Sequence, residues 1–385
     1  MVESIHIKNL GPIKDIHIEG IKPFTVLIGD SGSGKSTLMK AIALMRWLYK
    51  MQNIRSYLKH SNISKSPFRF RMETYLKNCG FEQLINSTTE IIYTTSFPSG
   101  KTYQIQYANN KLSGTANLID ETDIYYNKIS FISETRNVIP LWADNGASFT
   151  GGYLGYYFHE VYKDFDVASE TLKELELDYL NLKFIVKKTS SGKKYIVKSI
   201  NGGNFEIDYK NSSSGAQTST PISVIAQYFS QKFSFEDAFK RSVLDYLFNT
   251  DSLTDFKPIK NLKEINKKIF IHIEEPELSL YPNAQCQLIN DLVRKCFIAN
   301  DKSNSIELFV STHSPYIINH LNLLIKANDT NNLVGGAKMN YDNLAVYQII
   351  EGKTVDLMAQ NERLVNTNAL SDPINDIYDQ YNALG

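Results

Sequence analysis

A glycine-rich stretch near the start of the chain has the residue types that bind phosphate. It reads Gly29, Asp30, Ser31, Gly32, Ser33, Gly34, Lys35 and Ser36. An apolar run, residues 24–28, precedes it and helix-like apolar spacing follows it, which is the strand–loop–helix context of a phosphate-binding loop. Glycines let backbone N–H groups turn inward around the β- and γ-phosphates, beside a helix N-terminus. The loop therefore predicts a bound nucleoside triphosphate.

Two side chains at the end of this loop have distinct predicted roles. Lys35 supplies a positive charge to the phosphates, and the hydroxyl of Ser36 is placed to hold Mg²⁺. Thr37 follows in the first turn of the predicted helix and completes the nucleotide-binding set. We therefore expect Mg²⁺ to accompany the nucleotide.

Adjacent carboxylates end a second apolar run much later in the chain. Residues 269–273 have the pattern of a buried strand, and Glu274, Glu275 and Pro276 follow it. Ligands of open α/β sheets bind at the carboxyl ends of strands, where both side chains can face the nucleotide. We expect Glu274 to hold Mg²⁺ and Glu275 to orient the attacking water.

Two further segments have the residue types of a nucleotide site. An apolar strand over 307–311 delivers Thr312 and His313 to its carboxyl end, where the histidine can hydrogen-bond a γ-phosphate. Residues 212–217, Ser-Ser-Ser-Gly-Ala-Gln, come just before an apolar, helix-like run. Taken alone, that second segment is simply a loop of small residues.

Together the four segments resemble the ABC-type ATPases of the Rad50, SMC, RecF and OLD kind, an "AAA family ATPase" group. The opening 5–13 is similar to the first hairpin of that group, and 212–217 occupies the slot of its signature motif. Glu-Glu-Pro-Glu at 274–277 with Leu-Tyr-Pro at 280–282 resembles the OLD-like motif. Ser-Thr-His-Ser-Pro at 311–315 resembles the switch-histidine motif.

The resemblance implies ATP as the nucleotide and ATP hydrolysis as the reaction, with Lys35, Glu275 and His313 as catalytic residues. It also implies a head-to-tail homodimer or a higher homo-oligomer. In that assembly Ser214, Gly215 and Gln217 of one subunit meet the γ-phosphate held by the other.

Several positions depart from the family pattern. Asp30 and Ser31 replace the usual Pro-Asn, and Ser213 and Ala216 replace signature residues. No clear Q-loop glutamine is visible. The segment 131–136 occupies a comparable place, and Arg136 is our candidate for its lever.

These motifs require a particular set of supporting elements. We predict an α/β fold: an ABC-type P-loop head with a mixed sheet and N-terminal antiparallel strands, plus an inserted helical and β lobe. Residues 1–50 and 260–385 would form the ATPase core, and 51–259 the inserted lobe that carries the signature. Strand pairs are expected over 5–18, 89–112 and 343–355.

Composition excludes several other classes of protein. The 385 residues balance to a formal net charge of zero, so no global field attracts nucleic acid or membrane. The chain has three cysteines, which are too few for a disulfide framework and do not have the spacing of a metal site: Cys79, Cys286 and Cys296. No apolar run approaches the length of a membrane helix, and the start lacks a signal-peptide pattern. We expect a cytoplasmic protein.

The resemblance also suggests partners. Chains with such a signature and no attached nuclease resemble ATPase subunits of bacterial anti-phage systems such as PARIS or Septu, whose effector is a separate TOPRIM or HNH nuclease. The alternative is a DNA-repair or chromosome-type ATPase that contacts DNA through the basic stretch 46–77. A transporter subunit is disfavoured by the opening hairpin and the long middle insertion.

Overall fold

A computed structural model describes residues 1–63, 71–143, 155–190, 192–201, 205–239, 243–250, 252–259, 264–300 and 305–384. The strands are β1 (Val2–Leu10), β2 (Ile13–Ile18), β3 (Phe24–Ile28), β4 (Glu90–Ser96), β5 (Thr102–Ala108), β6 (Lys111–Ser113), β7 (Tyr125–Ile132), β8 (Glu174–Leu177), β9 (Leu182–Thr189), β10 (Gly192–Ser199), β11 (Glu206–Asp208), β12 (Asn266–Glu274), β13 (Ser305–Thr312), β14 (Leu344–Ile350), β15 (Lys353–Asp356), β16 (Met358–Ala359) and β17 (Leu364–Val365). The α-helices are α1 (Lys35–His60), α2 (Met72–Asn78), α3 (Ile139–Ala143), α4 (Gly155–Leu172), α5 (Ser214–Gln231), α6 (Phe235–Phe239), α7 (Asp245–Asn249), α8 (Pro282–Val293), α9 (Pro315–Asp329) and α10 (Asn368–Ala383).

The central sheet has the strand order β15-β14-β3-β13-β12-β7. Neighbouring strands from β14 to β7 run parallel, and only β15 is antiparallel to its neighbour. All five residues of β3 are buried, as are all but the first residue of β13. Near-continuous apolar strands of this kind are typical of a parallel sheet covered on both faces. The predicted apolar runs thus form the middle of the sheet.

A second, antiparallel sheet has the order β2-β1-β4-β5-β6. Ile5 and Ile7 are buried on one face of β1, whereas His6 and Lys8 point to the other, half-exposed face. The predicted N-terminal hairpin and the pairing over 89–112 are therefore present. The α/β class with a mixed sheet and antiparallel N-terminal strands is confirmed.

The predicted lobe boundary at residue 51 does not coincide with the sheets. Strands β4 to β6 join β1, and β7 forms the edge of the central sheet beside β12. Residues 90–132 therefore belong with elements of the predicted core, because their backbone hydrogen bonds go to it. Strands β8 to β11 form a separate four-stranded sheet near α4 and α5.

Helix α1 crosses the molecule beneath the central sheet, with most of its residues buried. Arg46 on this helix is only 1% exposed, and its Nη2 donates to Glu3 Oε2 at 2.7 Å and to Glu307 Oε2 at 3.2 Å. The basic stretch 46–77 is therefore not one solvated face, since its first member ties three elements together. Residues 64–70 of that stretch lie outside the described residues.

In the described ranges, no helix combines the length and the apolar character needed to cross a bilayer.

Candidate nucleotide-binding site

The predicted site residues meet at one edge of the central sheet. The parallel strands β3, β13, β12 and β7 are neighbours in that order. Ile28 pairs with Thr312, Ser311 with Glu274, and Ile273 with Ile132. The carboxyl ends of the four strands are thus level, and each continues directly into one segment of the site.

The phosphate-binding loop links β3 to α1. Gly34 caps the helix with φ at 109°, a left-handed conformation that residues with a Cβ rarely adopt. The ammonium of Lys35 is folded into the loop, where Nζ donates to the carbonyls of Gly29 at 2.7 Å and Asp30 at 2.9 Å. Burial lowers the pKa of Lys35, and the nearby Glu275 opposes that shift. The hydroxyl of Ser33 is buried without a hydrogen-bond partner in the described part of the chain.

These features make the loop suitable for an anion. Among the described residues, Lys35 bonds only to carbonyl oxygens of the same loop, which are weak partners for a cation that is 5% exposed. The positive end of α1 points at the same spot. A phosphate group would supply the acceptors that both Lys35 and Ser33 lack.

The carboxylate of Glu274 is buried and has no ion-pair partner among the described residues. The residue is 1% exposed, and among the described residues no donor stands in full hydrogen-bond geometry to either carboxylate oxygen, although Glu134 and Ser36 lie close by. Burial, followed by the adjacent carboxyl of Glu134, raises the pKa of Glu274 to about 8, and the Ser36 hydroxyl acts in the opposite direction. A bare buried carboxylate is unfavourable unless it meets a cation. Glu274 and Ser36 therefore fit a divalent ion such as Mg²⁺.

Glu275 and His313 lie side by side at the open edge of the site. Glu275 has φ at 45°, and its N–H donates to Ser311 O at 2.8 Å across the strand ends. Its Oε1 is 3.6 Å from His313 Nε2, and both side chains are about one-third exposed, at 37% and 35%. The N–H of His313 donates to Glu277 Oε1 at 2.6 Å. The structure thus brings the two predicted catalytic side chains together.

The signature segment forms the start of α5. Ser213 caps this helix, accepting from the N–H of Ala216 at 3.3 Å, and Ser213 and Ser214 are exposed. Gly215 packs closely against the segment after Glu275, because a Cβ there would lie 2.9 Å from Ser279 O. Within the described ranges, no hydrogen bond joins 212–217 to the phosphate-binding loop of the same chain.

Gln217 has a local role in this structure. Its Nε2 donates to Lys210 O at 2.7 Å and to Ser212 O at 2.9 Å. The amide therefore holds the loop that leads into α5, rather than standing free at the exposed end with Ser214.

Arg136, the candidate lever, connects the acidic strand to the signature helix. Its guanidinium is fully buried and donates to Glu274 O at 2.7 Å, Glu275 O at 2.5 Å and Thr218 O at 2.9 Å. Burial lowers its pKa to about 10, opposed by nearby carboxylates, so the group stays charged at neutral pH. Arg136 thus links β12 to α5 through one rigid planar group.

Glu134 is a site residue that the sequence analysis missed. It is the second residue after β7, and its carboxyl lies next to that of Glu274, which lowers the pKa of Glu134 and raises that of Glu274. One signal could have found it: like Glu274 and His313, it follows an apolar strand. The signal was weak because the order of strands in the sheet cannot be read from one segment.

Solved structures with a similar course of the chain include two SMC heads and a recombination mediator. The SMC head domain from Thermotoga maritima is 11% identical, with 92% of this chain and 97% of that chain covered and a TM-score of 0.39. The SMC head bound to the C-terminal winged-helix domain of ScpA is 12% identical, with 94% and 99% covered and a TM-score of 0.42. The recombination mediator protein RecF is 12% identical, with 93% and 98% covered and a TM-score of 0.35.

These similarities are low in identity and in TM-score, so the fold assignment rests on the strand order given above. No curated protein matches the chain significantly in sequence. A family model described as "AAA ATPase domain" (AAA_15) matches residues 1–140 and 48–318, which together span well over half of the chain. Membership of this family implies nucleotide binding. The chain belongs to the AAA ATPase domain family.

Proposed function

We propose that this protein binds ATP with Mg²⁺ at the sheet edge and hydrolyses it in a head-to-tail dimer. The observation that supports this most strongly is the division of the site. The loop 29–36, Glu274, Glu275 and His313 share one sheet edge, whereas Ser214 is exposed and bonded to none of them. A second subunit would supply the missing signature residues.

Each residue has a specific task in this proposal. The backbone N–H groups of 29–34 and the ammonium of Lys35 bind the β- and γ-phosphates, and Lys35 exchanges its loop carbonyls for phosphate oxygens. Ser36 and Glu274 hold Mg²⁺, which neutralises charge that develops on the phosphates. Glu275 accepts a hydrogen bond from the attacking water, and His313 donates one to the γ-phosphate.

Dimerisation follows from the same contacts. Ser214 and Gly215 would donate to the γ-phosphate bound by the partner subunit, with the N-terminus of α5 adding its dipole. Gln217 would act indirectly, by holding the loop before α5. ATP then stabilises the closed pair through contacts that exist only in that state, and hydrolysis releases it.

We further propose that the closed pair signals to a separate effector protein. This part rests on the resemblance to ATPase subunits of anti-phage systems, in which the effector is a TOPRIM or HNH nuclease. Neighbouring genes that encode a small nuclease would support it. Direct DNA binding is less favoured, because Arg46 in the basic stretch is buried in ion pairs.

A trapping experiment tests the proposed reaction. Glu275→Gln should bind ATP but hydrolyse it at least about 100-fold more slowly, because the water loses its acceptor. The variant should therefore persist as an ATP-bound dimer in size-exclusion chromatography with light scattering.

Lys35→Ala is the matched control, since it should bind no ATP and stay monomeric under the same conditions. Glu275→Gln with wild-type turnover, or one that stays monomeric with ATP, would contradict the proposal.

A further inference from the structure

A basic cavity lies at the free edge of β7, at the opposite end of the central sheet from the nucleotide site. It has a volume of about 430 Å³ and is lined by α1, β7, α4, the end of α5 and the segment over 233–239. The start of β7 lines it, whereas the nucleotide site follows the end of the parallel strands. The cavity is thus a separate site and plays no part in the proposed hydrolysis.

Three lysines and one aspartate line this cavity. Lys50 comes from α1, Lys128 from β7, and Lys163 and Asp164 from α4. Lys128 Nζ pairs with Asp164 Oδ1 at 2.7 Å. Within the described ranges neither Lys50 nor Lys163 has a carboxylate at ion-pair distance, so neither ammonium is held in a direct ion pair.

The surroundings of Lys50 favour an anion. Burial, and then repulsion from Lys128, lower the pKa of Lys50 to about 8, with Lys163 adding to the repulsion. Glu160 and Asp164 act against that shift without reversing it. A cation in this position gains most from a ligand that brings negative charge into the cavity.

A buried amide in the wall has no partner. Asn127 is 4% exposed, and neither its Oδ1 nor its Nδ2 has a hydrogen-bond partner in the part of the chain that the structure describes. Buried side-chain amides nearly always find partners, so an orphaned one beside a cavity indicates a ligand with both a donor and an acceptor. This observation is independent of the lysines.

The other wall of the cavity is aromatic. Phe229 lies under Lys128, whose Nζ is 5.5 Å from the ring centre. Phe233 stands 5.2 Å from Phe229 and 4.8 Å from Phe235, measured between ring centres. Such rings accept a planar, apolar group on their faces and edges.

We propose that this cavity binds an organic phosphate with a planar heterocycle, of about the size of a nucleoside monophosphate. The phosphate contacts Lys50 and Lys163, the heterocycle packs on the ring of Phe233, and its edge bonds to the amide of Asn127. The volume lies within the usual range for small-molecule sites and accommodates a single nucleotide. The cavity is partly open to solvent, so a small ligand can enter it from the surface.

The position of the cavity gives the ligand a route to the ATPase. Lys50 lies about 22 Å along α1 from Lys35, and Phe229 about 22 Å along α5 from Ser214, at about 1.5 Å rise per residue. A ligand in the cavity therefore contacts the second half of α1 and the end of α5, the two helices that begin at the phosphate-binding loop and the signature. It is placed to alter their relative position.

The test uses AMP, CMP, GMP, UMP and inorganic phosphate as probes. Calorimetric titration is carried out on full-length protein that carries Lys35→Ala, so that the phosphate-binding loop does not compete. At least one monophosphate should bind with a dissociation constant below about 1 mM. Inorganic phosphate should bind at least about tenfold more weakly, because it makes no contact with Phe233 or Asn127.

Variants decide whether the binding occurs in this cavity. Lys50→Met in the same background should weaken binding at least about tenfold, and Asn127→Leu should weaken it while leaving the fold intact. Lys59→Met, at an exposed lysine near the end of α1, is the matched control and should bind like the parent.

Several outcomes would overturn the proposal. The first is that no monophosphate binds at about 10 mM, which is about ten times the expected limit of the dissociation constant. The second is that Lys50→Met and Lys59→Met bind the monophosphate equally well. The third is that inorganic phosphate binds as tightly as the monophosphates. A single-stranded oligonucleotide that binds more tightly than any monophosphate would also overturn it, in favour of a nucleic-acid surface.

Discussion

At the residue scale, Glu274 has an energetic cost in the nucleotide-free protein. Its carboxyl is buried beside that of Glu134, and its pKa is raised to about 8 from an ordinary value of 4.5. The folded state therefore binds more protons than the unfolded state between these two pH values. The free energy of unfolding contributed by this group falls as the pH rises through that window.

Glu274→Gln should accordingly stabilise the nucleotide-free protein. We expect a gain in the free energy of unfolding of about 1–2 kcal/mol at pH 8 and much less at pH 5, because glutamine cannot ionise. Urea unfolding at both pH values measures it, with the exposed Glu82→Gln as the control. A gain that is equal at the two pH values would contradict the assigned pKa.

At the element scale, Arg136 joins β12 to α5 through backbone carbonyls. Its guanidinium donates to four carbonyls, one of them in its own turn at Ser133. The other three join α5 to the Glu274–Glu275 segment, so the register between those two depends on one planar group. Lysine cannot reproduce that geometry, since its ammonium is a single point.

Arg136→Lys should therefore lower ATP turnover at least about tenfold while changing the affinity for ATP by less than about threefold. Steady-state ATPase assays and nucleotide titrations separate the two quantities. Arg363→Lys, at an exposed arginine paired with Asp329, is the control. Equal loss of affinity and turnover would indicate a general structural role instead.

Helix α1 is anchored by a second buried arginine. Arg46 pairs with Glu3 and Glu307, and its guanidinium carbon is 3.9 Å from the centre of the Phe270 ring. These contacts tie the two sheets and the helix that starts at the phosphate-binding loop. The cost of removing the arginine is dominated by Glu3, whose buried carboxylate would keep only the Tyr93 hydroxyl as a partner among the described residues, whereas Glu307 still pairs with Lys268.

Arg46→Met should lower the free energy of unfolding by about 3–5 kcal/mol. Adding Glu3→Gln should recover part of the loss, because one uncompensated charge is removed. Denaturant unfolding measures both, with the more exposed Arg294→Met for comparison. If Arg46→Met lowers the free energy of unfolding no more than Arg294→Met does, the buried ion-pair cluster makes no net contribution to stability.

At the scale of the whole molecule, the site is divided between two surfaces of one chain. The loop 29–36 and the exposed Ser214 start different helices, α1 and α5, and a head-to-tail pair would bring the loop of each subunit to the Ser214 of the other. Two different defects should then complement each other, because a mixed dimer keeps one intact site.

Lys35→Ala and Ser214→Arg should each have almost no ATPase activity alone. An equimolar mixture should regain about a quarter of the wild-type rate, because half of randomly formed dimers are mixed and each has one intact site. The measurement compares the ATPase rate of the mixture with the rates of the two single variants at the same total protein concentration. A mixture no more active than its parents would contradict a site shared in this way.

Local sequence alone determined the parts of this site whose chemistry needs contiguous residues. The glycine-rich loop, the paired carboxylates and the histidine each end an apolar run, and strand ends in an α/β sheet are where ligands bind. The N-terminal hairpin and the α/β class followed from alternation and apolar runs. The family assignment agrees with them.

Only the tertiary structure decided which strands are neighbours, and the order of the strands determined which distant residues meet at the site and at the cavity. Strand β7 pairs with β12 although residues 133–265 lie between them in the chain. That pairing places Glu134 beside Glu274, and it gives Arg136, named from the sequence only by the place of its segment, its contacts with β12 and α5. The same pairing moved 90–132 out of the predicted lobe and placed Lys50, Asn127 and Lys163 around one cavity. Such contacts form because elements far apart in the chain bury their apolar faces against each other. The sequence of one segment does not specify which other segment it will pack against.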